Sequence, residues 1–185
     1  VLTACATSNT GGSTASSSAS GGGASASASS GGGDKTFTWA YEQEMSSYNG
    51  NTAEQNASAN AVIANAILGG FWMFKPDGTL EARTDFGTYE KTSDSPLTVK
   101  YTISDKAVWS DGEPITCDDM ALTWLANSGK TGEKGFSSAS TAGYQDHALK
   151  CDSDKQATAT YKTPFADWAA LYGVGAILPA HILEK

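Results

Sequence analysis

Val108-Trp109-Ser110-Asp111-Gly112-Glu113-Pro114-Ile115-Thr116-Cys117-Asp118-Asp119 runs a tight turn straight into a helix. Ser110-Asp111-Gly112 supplies the short polar side chains and the glycine that a reverse turn needs. Thr116 stands three residues before Asp119, the pattern of a capping box. The hydroxyl accepts from the backbone at the third helical position, and the carboxylate there reaches back to the cap. Asp118 and Asp119 also put negative charge at the positive end of the helix dipole. The helix so opened passes Met120, Trp124 and Leu125 and stops near Gly129. Trp109 is expected in the core, and Asp111 is expected to serve the turn rather than a ligand or a reaction.

Working upstream, Leu97, Val99, Tyr101 and Ile103 alternate with Thr98, Lys100 and Thr102, a strand with one buried face that starts after Pro96. Phe71–Phe74, the turn Lys75-Pro76-Asp77-Gly78 and Thr79-Leu80 read as a hairpin. Before it, Thr52 and Gln55 offer a capping box ahead of Ala59, Val62, Ile63, Ala66 and Ile67 at helical spacing, with Gly69-Gly70 as the stop. Thr36–Glu42 alternates Phe37, Trp39 and Tyr41 with Thr38, Ala40 and Glu42 and predicts the first strand. Downstream, residues 129–147 read as a long loop, Ala157–Lys162 as a strand, and Thr163-Pro164 as the opening of a third helix. Strands and helices mix without a regular βαβ repeat, so the expected class is α+β, an irregular α/β body.

The chain has 185 residues, with 20 acidic and 12 basic ones for a net charge of −8, and residues 1–33 carry no charge at all. About 150 residues remain to fold, enough to bury a core. An acidic chain with no basic cluster is repelled by phosphate backbones, so nucleic acid is not an expected partner. No apolar run has the length to span a bilayer. Val1-Leu2-Thr3-Ala4-Cys5 reads instead as the remnant of a lipoprotein signal at residues 1–5, with Cys5 the acylated residue. The other reading of Cys5 is an ordinary cysteine near a frayed terminus. Residues 6–35, rich in Ser and Gly, are expected to stay disordered and to act as a tether with a reach of roughly 30 Å. Setting Cys5 aside leaves Cys117 and Cys151 of the three cysteines, which favours one disulfide over two separate buried thiols.

Signals for chemistry are poor. Gly135-Phe136-Ser137-Ser138-Ala139 lacks the second glycine of a nucleophile elbow. Asp118-Asp119 and Asp152/Asp154 suit a cap and a solvated turn better than an acid–base pair. No metal-ligand spacing occurs, and no cofactor is expected. The residues by themselves therefore point to no reaction.

The order of motifs resembles the extracellular solute-binding proteins of ABC importers, family 5, the oligopeptide-, dipeptide- and nickel-binding group. The W-S-D-G turn at 109–112 with Pro114, Thr116 and Asp119, the Pro-Asp-Gly hairpin at 76–78, the strand before the turn and Leu178-Pro179-Ala180-His181-Ile182 carry the resemblance across residues 36–185. It implies the N-terminal part of a periplasmic-binding-protein type II-like fold whose two lobes close over a ligand, with the second lobe incomplete or absent here. The implied function is a lipid-anchored receptor, monomeric at full length, that captures peptides or similar small solutes at the extracytoplasmic face of the cell membrane for ABC permease subunits. The alternative is a cell-envelope regulatory or assembly lipoprotein of the same fold without a transport role. The resemblance also implies that the loop after the first strand faces the cleft. Tyr41, Glu42, Ser46, Tyr48 and Asn49 are accordingly the candidate ligand residues, with Phe71 and Trp72 as a candidate aromatic cleft wall or, alternatively, core. Ser140–Tyr144 is a further loop within reach of a ligand.

Overall fold

The computed structural model describes residues 36, 38–130 and 138–184. Cys5, the tether and residues 131–137 of the long loop lie outside them. Residues up to Trp39 and residues from Ala40 onward form two separate units. In the second unit the elements are α1 (Ser58–Ile67), β1 (Trp72–Phe74), β2 (Leu80–Ala82), β3 (Gly87–Asp94), β4 (Leu97–Ile103), α2 (Cys117–Asn127), β5 (His147–Ser153), β6 (Gln156–Tyr161), a 3-10 turn (Trp168–Ala170) and α3 (Ala180–Leu183).

The centre of the fold is β4. Leu97, Val99, Tyr101 and Ile103 are all buried, as the alternation predicts. Around β4 an antiparallel sheet forms in the order β3-β4-β6-β5, with Val99 opposite Ala159 and Tyr101 opposite Ala157. The small side chains of β6 leave room above the sheet, and α2 packs over β5 and β6 with Met120 in the core. Cys117 and Cys151 form a disulfide that pins the first residue of α2 to β5. The capping box at Thr116 and Asp119 is formed.

A separate two-stranded ribbon, β1-β2, closes through the expected turn, where Gly78 has φ of +82° and Gly78 N–H donates to Lys75 O. The ribbon is held against residues 172–174: Phe71 N–H donates to Tyr172 O at 2.9 Å, and Val174 N–H donates to Trp72 O at 2.9 Å. That pairing brings Gly70 and Gly173 into backbone contact, so close that a Cβ on Gly70 would lie 2.1 Å from the Gly173 carbonyl.

Three expectations are corrected and one open choice is decided. Residues 38–42 form no strand, for an alternating sequence becomes one only where it is laddered to a neighbouring strand. The box at Thr52 and Gln55 caps nothing: Gln55 N–H donates to Thr52 O in a turn, and α1 begins at Ser58 behind Ala57. No helix starts at Pro164; the segment reaches only the short 3-10 turn at 168–170 and then extends along β1. Phe71, with no exposed surface, stands at the centre of the core among Phe86, Tyr89 and Tyr101. Trp72 is also buried and gives its indole N–H to Leu171 O at 2.8 Å. Both thus take the core place that the sequence offered as the alternative to a cleft wall. Two strands, β3 and β5, were not expected at all.

Candidate functional site

The turn at 109–112 is architectural. Trp109 N–H donates to Glu113 O and Gly112 N–H to Trp109 O, and Gly112 has φ of +92°. Asp111 accepts from Glu113 N–H and meets His181 Nε2 at 2.9 Å. The His181 hydrogen bond, then that of Glu113, holds the Asp111 carboxyl below its ordinary pKa. These bonds close the turn on itself and tie it to His181 of α3.

The loop between residues 42 and 51 is built differently. Its anchor is Asn60, a fully buried amide on α1. Asn60 Oδ1 accepts from Ser46 N–H at 2.9 Å and Ser47 N–H at 3.3 Å, while Nδ2 donates to Gln55 O at 2.8 Å and Ser46 Oγ at 3.0 Å. One side chain therefore satisfies both strands of the loop, and burial makes each bond costly to lose. Beyond Ser46 the chain turns twice on its own side chains: Asn49 N–H donates to Ser47 Oγ and Asn51 N–H to Asn49 Oδ1. Tyr48 is left pointing outward with 71% of its surface exposed.

Asn51 O then accepts from Ala139 N–H at 2.7 Å, which joins this loop to the one after α2. Between the two lies a polar cavity of about 220 Å³ lined by Asn51, Asn56, Asn127, Ser140 and Tyr144. It offers amides, a hydroxyl and peptide groups with no charge, a surface suited to main-chain hydrogen bonding. The structure therefore brings the loop with Ser46, Tyr48 and Asn49 and the loop with Ser140–Tyr144 to one place. Tyr41 and Glu42 are exposed ahead of it, and neither they nor Ser46, Tyr48 and Asn49 line the cavity itself. Asn60, Asn51, Asn56 and Asn127 are the members that sequence reasoning missed; the run of asparagines from Asn49 to Asn65 is the signal that could have found three of them.

A larger and more apolar groove of about 950 Å³ lies between the end of α1 and the turn at 109–111. Ile67, Val108 and Ile182 line it and are each more than half exposed. Among the described residues no three metal-binding side chains cluster, and no helix is long and apolar enough to cross a membrane.

No protein-family model matches the chain. An uncharacterized lipoprotein of Mycobacterium tuberculosis (strain H37Rv) is 38% identical over 143 residues, which make up 75% of this chain and 25% of the relative. The oligopeptide-binding protein OppA of the same strain is 38% identical over 135 residues, 71% of this chain and 22% of the relative. Among solved structures the periplasmic EDTA-binding protein EppA superposes with a TM-score of 0.68 at 33% identity, over 75% of this chain and 26% of its own. The chain spans about a quarter of the length of these relatives. OppA and EppA are both named as binding proteins. The chain thus has the type II-like fold of the family 5 extracellular solute-binding proteins of ABC importers, of which it matches a part.

Proposed function

We propose that the chain is part of a lipid-anchored receptor that captures peptides or similar small solutes outside the cytoplasmic membrane and delivers them to ABC permease subunits. The relatives named oligopeptide-binding protein and lipoprotein support this reading, as does the sequence Leu2-Thr3-Ala4-Cys5, in which Cys5 would take the lipid. Residues 6–35 would serve as the tether between lipid and body, and the rest of the chain as the N-terminal part of the solute-binding domain. The observation that carries the proposal is the junction of two loops at Ala139 and Asn51, with one of them locked to the buried amide of Asn60.

A peptide is recognised chiefly through its backbone, and the uncharged amides of this cavity match that chemistry. Ser46 and Asn49 hold the loop in shape, and Tyr48 supplies an exposed aromatic face to the solute. Tyr41 and Glu42 would flank the entrance. Release would follow from opening of the two lobes, since solute contacts with both favour the closed state. The test is native mass spectrometry of the protein isolated intact, followed by mild denaturation to free any trapped molecule. Short peptides in the released fraction are expected. An empty protein whose tryptophan fluorescence is also unmoved by peptide mixtures would overturn the receptor reading and favour a role in the cell envelope.

A further inference from the structure

His147, the first residue of β5, is wholly buried, and both of its ring nitrogens are engaged. Nδ1 lies 2.8 Å from Gly143 O, and Nε2 lies 2.9 Å from the Tyr172 hydroxyl. A carbonyl can only accept, so Nδ1 carries the proton, and Nε2 accepts from Tyr172. Tyr172 in turn gives its backbone N–H to the Tyr144 hydroxyl at 3.1 Å. These bonds close a ring that ties the turn at 141–146 to the segment backing β1. Trp124 on α2 guards it from above, donating its indole N–H to Tyr144 O at 3.1 Å and His147 O at 3.2 Å.

The turn held by this ring carries residues of the polar cavity: Ala142 and Tyr144 line it. Gly143, with φ of +77°, is packed so tightly that a Cβ there would meet Phe165 at 2.7 Å. The turn is therefore packed closely against Phe165 and Leu171.

We propose that this ring is an acid-released clasp: protonation of His147 frees the turn at 141–146 from the body while the four-stranded sheet stays folded, and so opens the polar cavity. The consequence for solute retention rests on the site proposed above; the clasp itself does not.

An imidazolium would present a second N–H to Tyr172, whose own hydroxyl proton would then have to turn toward the core. The groups around the imidazole give the charge little help. From β6 comes Tyr161, with its ring centre 4.9 Å away, and from the turn come Tyr144 and Asp146. From α2 comes Trp124, and just past that helix Lys130 adds a like charge. Tyr101 of β4 reaches the ring only through Tyr172. The hydrogen bond to Gly143 O favours the cation, and so, less strongly, does Asp146, whose Oδ2 already accepts from Gly143 N–H. Burial outweighs both and holds the pKa of His147 below its ordinary 6.5. The clasped state thus binds the proton less readily than the released state. It is fully favoured above the ordinary value and loses ground as pH falls from there toward the depressed one.

The test is amide hydrogen exchange of the intact chain at about pH 7.5 and about pH 5, corrected for intrinsic rates. Peptides covering 139–147 are expected to lose protection by about tenfold or more at the lower pH, while β4 and β6 keep theirs. His147→Gln should abolish the pH difference. Tyr172→Phe, which keeps the packing and removes the partner of Nε2, should lower protection of the turn already at the higher pH. Equal protection at both pH values, or loss only together with β4 and β6, would overturn the clasp. A turn that opens in acid while peptide retention stays constant would overturn the cavity as the solute site and leave the clasp standing.

Discussion

Asp119 Oδ1 accepts a hydrogen bond from the backbone N–H of Ala180 at 2.8 Å, joining positions 61 apart in the chain. The other oxygen of the same carboxylate accepts from Thr116 N–H at 2.8 Å and from the Trp109 indole at 3.3 Å. One buried side chain therefore caps α2, holds the tryptophan of the turn and fixes the start of α3. Asp119→Ala leaves three donors unpaired in a dry place and should cost about 3–4 kcal/mol. Asp119→Asn keeps one acceptor and should cost about 2 kcal/mol. Denaturant unfolding of the two variants checks the order; a loss below about 1 kcal/mol for alanine would show that the carboxylate is no hub.

The Gly70–Gly173 contact predicts a second sharp effect. A Cβ at Gly70 meets backbone atoms, which cannot swing aside as a side chain would. Gly70→Ala should destabilise by about 3 kcal/mol, the upper part of the range for overpacking. The same substitution at Gly78 meets only open space, though its φ of +82° adds strain, and should cost about 1 kcal/mol. Thermal melts of both variants should therefore separate crowding from backbone strain.

The contrast between these sites explains how far the sequence could be read. β4 and α2 are legible because each carries a full local signal: alternation of Leu97 to Ile103 in one, and Thr116 with Asp119 in the other. β3 and β5 are edge strands whose side chains are mostly exposed, so pairing with β4 and β6 defines them and no periodicity does. The aromatic pair after Gly69-Gly70 leaves core and cleft wall both open for a related reason: its burial depends on Tyr172, Gly173 and Val174, a hundred residues on. In the candidate site, Ser46 and Asn49 are visible as loop polar residues, whereas Asn60 looks like one more position on a helix. Its role exists only through contacts 13 and 14 residues back.

The Cys117–Cys151 bridge closes a loop with a sequence separation of 34. On the chain-entropy model, losing it should cost about 3–4 kcal/mol, or roughly 10 °C in Tm for a body of this size. Cys151 lies on the exposed edge strand, so a mild reductant should reach the bridge without global unfolding. Melts with and without reductant measure the difference. A double serine variant should match the reduced protein, and an unchanged Tm in both would mean that the capping box and the Cys117 N–H to Asp154 O bond suffice to hold α2 on the sheet.

Tyr48 and Asn60 separate recognition from scaffolding in the proposed site. Tyr48 is exposed and packs into nothing, so Tyr48→Ala should change stability by no more than about 0.5 kcal/mol. If its ring contacts the solute, the same change should weaken capture by about tenfold, the scale of an aromatic hot spot. Asn60→Ala should do both: the loop loses its four-bond anchor, stability falls by about 2–3 kcal/mol, and capture weakens with it. Calorimetric titration with a peptide recovered from the protein, run beside a thermal melt of each variant, reads the two effects independently. Full affinity in Tyr48→Ala, with the melt unchanged, would remove the loop at 42–51 from the solute surface and leave it a structural brace for α1.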